Sequence, residues 1–237
     1  MIRRRRWAAL CALGTATAWS CPSLFARPTD RAALSWEQAF PVDSAKREVY
    51  LDAHFVGSDG ASHRLQVWRR GTAFLHRRTD DKLDLYLQKA DDQANYSYRL
   101  FDHDRHVMIG VTRNHLYRIG VFSDWFGLAH VLDRPKIRFS VRAVEPLPGE
   151  QRPDCAWRLL ARESGGTRDE TRVCWSAEWG LPLVIRVPGR GHNWVARFSV
   201  DRVDDRAIPA DGMVLPAKPD GYAYFDAGKE IAPEAGD

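Results

Sequence analysis

Cys155-Ala-Trp-Arg-Leu-Leu-Ala161 and Thr171-Arg-Val-Cys-Trp-Ser-Ala177, the two apolar runs that open the stretch from Asp154 to Val203, decide the fold class. Between them lies Ser164-Gly165-Gly166, a hairpin signal because glycine admits positive φ. A turn centred on Ser164-Gly165 sets Cys155 directly opposite Cys174, within reach of a cross-strand disulfide. The chain continues through Glu178-Trp-Gly-Leu-Pro-Leu-Val-Ile-Arg-Val187 and turns at Pro188-Gly189. It resumes at Trp194-Val-Ala-Arg-Phe-Ser-Val-Asp-Arg-Val203, where Trp194, Ala196, Phe198 and Val200 share one face. The stretch reads as a four-strand antiparallel meander.

The same period of two runs upstream. Val49, Leu51, Ala53 and Phe55 alternate with polar residues until Gly57-Ser-Asp-Gly60, a turn signal. Strands follow at Arg64 to Arg70, at Ala73 to Arg78, and at Leu83 to Gln88, where Leu83, Leu85 and Leu87 face the core. Two more follow at Asn95 to Phe101 and at His106 to Arg113, and the whole is expected to have one wet and one dry face. Helical spacing interrupts the pattern once, at Phe122, Trp125, Phe126, Ala129 and Leu132, with Ser123 as cap and Pro135 as stop. Lys136 to Val144 then resumes alternation, with Ile137, Phe139, Val141 and Ala143 on one face. About eleven strands and one internal helix result, and the chain is long enough for one substantial core. Arg31 to Phe40 is expected to form a short helix in a loosely attached entry segment.

Formal charge is +4, and Arg3 to Arg6 account for all of it. The remainder is balanced, which removes the electrostatic case for a nucleic-acid partner. Those arginines, the apolar Trp7 to Ala18 and the small residues after it form a secretory signal over residues 1–26, too short to anchor in a bilayer. Cleavage fits after Ala16-Thr-Ala18 or after Leu24-Phe-Ala26, and Cys21 offers a lipidation site that would make an outer-membrane lipoprotein. A periplasmic location with one domain over residues 27–237 is the expectation. In that compartment the even pair Cys155 and Cys174 reads as a structural disulfide, without the Cys-x-x-Cys spacing of a redox site.

Catalytic signatures are weak. His103-Asp-Arg-His106 beside Asp102 has metal-ligand chemistry but occupies a tight turn, as do the carboxylate pairs Asp80-Asp81 and Asp91-Asp92. No zinc-protease helix, phosphate-cradling glycine loop or nucleophile elbow occurs. The expectation is no enzyme, no catalytic residue, no metal and no cofactor, with a hydrolase of unrecognised site as the alternative from another class.

An exported chain with this meander, a helix before its last third, Gly180-Leu-Pro182 and the ending Asp211-Gly-Met-Val-Leu-Pro216 resembles the LolA/LolB lipoprotein carrier superfamily, which includes the sensor domain of RseB/MucB-type proteins. The resemblance implies a mainly β fold. It would be a curved antiparallel sheet forming an unclosed half-barrel, with a helix covering the concave face over an apolar cavity. It further implies a carrier of lipid or lipoprotein acyl chains between an envelope membrane-protein donor and an acceptor, or a stress sensor binding lipid or peptide. No residue here is assigned to the arginine by which LolA holds its lid. Larger antiparallel barrels do enclose cavities. The expected lining is Phe122, Trp125, Phe126 and Leu132 from the helix, with Leu83, Leu85, Leu87, Ile137, Phe139, Val141, Trp194 and Phe198 from the strands.

Overall fold

The computed structural model describes residues 32–43, 45–89, 96–112, 125–164, 167–205 and 214–227. Within them, thirteen strands form one mixed sheet with two free edges. The strands are β1 (Ala33–Leu34), β2 (Glu48–Val56), β3 (Ser62–Arg70), β4 (Phe74–Thr79), β5 (Leu83–Lys89), β6 (Tyr96–Asp102), β7 (Val107–Thr112), β8 (Phe139–Ala143), β9 (Ala156–Ser164), β10 (Thr167–Ser176), β11 (Leu181–Pro188), β12 (Trp194–Asp204) and β13 (Ala223–Asp226). Two short helices accompany them, α1 (Trp36–Ala39) and α2 (Trp125–His130), with a 3-10 turn at Arg190–His192.

Each of the eleven expected strands is present, and β1 and β13 are additional. The order β1-β8-β9-β10-β11-β12-β2-β3-β4-β5-β6-β7-β13 joins two meanders, β2 to β7 and β8 to β12, through the antiparallel β12·β2 pair. β1 and β13 escape a periodicity reading because they are too short to show a period. β8 begins at Phe139, later than the alternation from Lys136 suggests.

One face of the sheet carries the core. Val49, Leu51 and Ala53 of β2, Leu65 and Val67 of β3, Leu75 of β4 and Leu87 of β5 form a buried cluster with Leu128 and Ala129 of α2. A second cluster joins Trp36, Ala39, Phe40, Leu132, Val141, Leu160, Val173 and Trp175. The entry segment is therefore not loosely attached. Ser35 and Gln38 form a reciprocal capping box on α1, and Trp36, Ala39 and Phe40 are buried. Leu34 lies in β1 and pairs with Val141.

The opposite face of β2 to β7 is not simply wet. Tyr50, Phe74, Asp84, Phe101 and Met108 are buried there. Register lines up Tyr50, Trp68, His76, Tyr86 and Arg99 across β2 to β6. Rings broad enough to shield one another replace the expected solvated row: His76 stacks on Trp68 at 4.6 Å and on Tyr86 at 4.0 Å.

The opening hairpin pairs in a register two residues away from the expected one. Thr167 pairs with Ser164, so Cys174 faces Trp157 instead of Cys155. The Cys155–Cys174 disulfide still forms, with a Cα separation of 5.4 Å. Cys155 stands just before the first paired residue of β9, and Cys174 sits at a bulge in the β10·β11 ladder, so the bridge runs diagonally.

Candidate functional site

Inward parity brings most of the expected lining residues together in two groups. Leu85, Leu87, Trp125 and Phe198 belong to the cluster under β2 to β5, while Phe126, Leu132, Phe139 and Val141 belong to the one under β8 to β10. α2 contributes to both. Three residues stand elsewhere. Leu83 is 40% exposed at the start of β5, and Ile137 is 46% exposed ahead of β8, where no strand partner covers it. Trp194 lies on the outer face, with the Arg172 guanidinium 5.4 Å from its ring. The cause is a register shift: Ile185 pairs with Phe198 but Arg186 with Ala196, which inverts the alternation of β12 between Trp194 and Phe198. Phe122 lies outside the described residues.

Among the inward-facing residues of β3 is Arg69, 2% exposed. Its Nη1 donates to the Ala129 carbonyl of α2 at 3.0 Å, and its Nη2 donates to the carbonyls of Trp179 at 2.7 Å and Lys46 at 3.3 Å. Three separate segments thus meet on one guanidinium. His130 Nδ1 lies 2.8 Å from Nη1 and also against the Gly180 carbonyl. An unprotonated Nδ1 accepts from Arg69, whereas Nδ1–H donates to Gly180, so the two contacts belong to different proton positions on the ring. No carboxylate among the described residues stands at ion-pair distance from Arg69, and burial pushes its guanidinium down to about 10. A hollow of ≈ 760 Å³ opens beside it, lined among others by Lys46, Arg47, Arg70, Thr72 and His130. A smaller one of ≈ 270 Å³ lies at Trp36, Phe40, Phe126 and Arg134, where the two helices approach.

On the outer face, the equally buried Asp84 accepts from His76 Nε2 at 2.7 Å, Arg78 Nε at 2.9 Å and His103 Nε2 at 2.8 Å. Burial alone would raise this carboxyl; the hydrogen bonds from His76, Arg78 and His103 outweigh it and hold Asp84 far below the usual carboxylate range. Of the His103–His106 turn, only His103 joins this network. Among the described residues no group of three or more His, Cys, Asp or Glu is arranged to hold a metal ion, and no helix is long and apolar enough to cross a membrane.

No protein-family model and no curated protein matches this chain. Solved structures do match, MucB among them. The crystal structure of MucB superposes on 74% of this chain at 17% identity with a TM-score of 0.37. The chain spans 60% of the MucB chain's length. A superposition that loose assigns neither a family nor a site.

Sequence reasoning missed Arg69 and Asp84, and only the first left a signal. Arg69 continues the inward series Leu65, Val67, so parity alone directs it into the core. Asp84 has the outward parity of a solvated residue, and its burial depends on neighbours supplied by β4 and the β6–β7 turn.

Proposed function

We propose that this chain is an exported, periplasmic binding protein that holds a lipid or lipidated ligand non-covalently in the apolar interior beneath α2, without catalysis. In this reading a membrane-protein donor and acceptor exchange the cargo, nucleic acid has no part, and α2 acts as the cover of the concave face. The observation that carries the reading is the Arg69 latch. A core shaped only for stability gains little from a guanidinium buried without an anion, because desolvation is costly and an apolar side chain of similar volume does as well or better. A cover that must open has a use for it. Its bonds go to backbone carbonyls of Ala129, Trp179 and Lys46, which water can replace when the cover lifts.

Two further details fit an acyl guest. Trp125 stacks on Tyr96 at 5.1 Å, yet its buried indole N–H has no acceptor among the described residues, so an ester or amide carbonyl of a ligand would meet a donor there. Each methylene buried contributes about 0.8 kcal/mol, so partial burial of one chain gives useful affinity and still permits hand-over. The test is native mass spectrometry of protein purified gently from envelopes. A co-purifying lipid supports the reading. Protein that is empty, and that takes up no lipid from added vesicles, would remove it.

A further inference from the structure

Among the described residues eleven of the twelve strand pairs are antiparallel, and β13 alone runs parallel to its neighbour, β7. Its register is Ala223 with Val107, Tyr224 with Met108, Phe225 with Ile109 and Asp226 with Gly110. A terminal strand normally holds its place by burying side chains. Here Tyr224 is 51% and Phe225 46% exposed, and neither belongs to a buried cluster. What grips the segment is mostly polar. Arg99 Nη1 donates to the carbonyls of Leu215, at 3.0 Å, and Pro216. The Tyr222 hydroxyl lies 2.6 Å from His103 Nδ1, and Ala223 N donates to the His106 carbonyl at 2.9 Å. The Tyr224 phenol rests on Gly110, where a Cβ would come within 2.5 Å of its oxygen.

The surface that receives these contacts is organised without them. Asp84 orients His103 and is itself held by His76 and Arg78, all from β4, β5 and the β6–β7 turn. With Nε2 directed at Asp84, the other ring nitrogen of His103, Nδ1, is left facing the Tyr222 hydroxyl. Arg99 offers a guanidinium that reads two consecutive carbonyls, and Gly110 leaves a slot for a ring. Together with the β7 edge these are the parts of a strand-addition site: main-chain bonds for affinity and side-chain fixtures for specificity.

We propose that the β7 edge is a docking site for an extended segment with the pattern Leu-Pro followed by Tyr-x-Tyr, and that its occupant, residues 215–226 of this chain, exchanges with the same segment of a second copy. The occupant is a second copy's segment because the site is fitted to this sequence, and exchange of identical elements creates no contact that the monomer lacks. A segment that buries few side chains opens locally, well below the cost of global unfolding.

The test uses the full chain. A fluorescent synthetic peptide of residues 214–227 should bind full-length protein saturably by anisotropy, and a scrambled peptide should not. Arg99→Ala, and separately Gly110→Val, should weaken binding by about tenfold or more, the loss of about 1.4 kcal/mol. Hydrogen exchange guards against misfolding. In the wild type, the amides of 223–226 and those of 107–110 that point to β13 should exchange at least about tenfold faster than those of β3, and both variants should keep β3 as slow as wild type. Absence of saturable binding, equal binding of the scrambled peptide, or β13 amides as slow as β3 amides would each overturn the proposal.

Discussion

Arg69 and Asp84 lie on opposite faces of the same meander, each 2% exposed, and each solves the problem of a buried charge differently. Asp84 is surrounded by opposite charge and donors from adjacent strands, so its network closes within the sheet. Among the described residues Arg69 meets only carbonyl dipoles and one imidazole, drawn from α2, from the turn before β11 and from Lys46 ahead of β2. The first arrangement staples strands that must not separate. The second fastens a helix to the sheet by bonds that water can also make, which suits a part that moves. The contrast is between a charge whose network closes on the sheet and a charge that ties a helix to it.

Asp84→Asn probes the staple and should have the largest effect. It leaves Arg78, His76 and His103 without their anion and should cost about 4 kcal/mol of global stability in urea unfolding. If the loss stays below about 1 kcal/mol, the network is ornamental and the contrast fails. Because the folded carboxyl lies below its unfolded value near about 3.9, its contribution is full above that pH and disappears as pH falls through the folded pKa. The variant should accordingly lose much of the wild type's decline in stability below about pH 4.

Arg69→Met should change global stability by less than about 1 kcal/mol, since the stranded carbonyls are offset by relief of a buried charge. More telling is where the effect falls. Hydrogen exchange should accelerate at 125–131 and leave β2 and β3 unchanged; uniform acceleration would make Arg69 an ordinary core residue.

His63 supplies the smallest and sharpest comparison, at the rim of the same sheet. Its ring bonds to Asp80, and that bond raises its pKa despite some desolvation. The stabilisation is present below the unfolded value of about 6.5 and fades as pH rises through the folded one. Asp80→Asn should bring the His63 titration, followed by its ring-proton shifts, down toward that unfolded value, and should leave the Asp84 network untouched. A His63 titration that does not move would show that Asp80 is not its partner in solution.

Much of this architecture could be read from alternation and turn residues. The runs around Leu51, Val67 and Leu87 have the period that places them in the core, and glycine pairs mark the hairpins. The errors have identifiable causes. A one-residue shift in β11·β12 inverted parity at Trp194, and bulges leave no mark in composition. The unbroken β9·β10 register is set differently from the one the turn residues suggested and moved Cys174 off Cys155. Leu83 and Ile137 follow the pattern but stand where cover ends, and parity carries no information about ends. α1 appeared loose because four residues show no period, yet Trp36 and Phe40 alone bury enough apolar surface to fix it. The polar sites depend on tertiary neighbours and were the least legible.

The proposed function requires α2 to lift from the packed cluster beneath it and admit an acyl chain when Arg69 releases the Ala129 carbonyl. Fluorescence titration of delipidated protein with a labelled fatty acid tests it most directly, comparing wild type with Arg69→Met. The account predicts saturable binding by both, with faster uptake by the variant because its cover is already loosened. Failure of both to bind saturably, at concentrations where the labelled fatty acid remains monomeric, would contradict it.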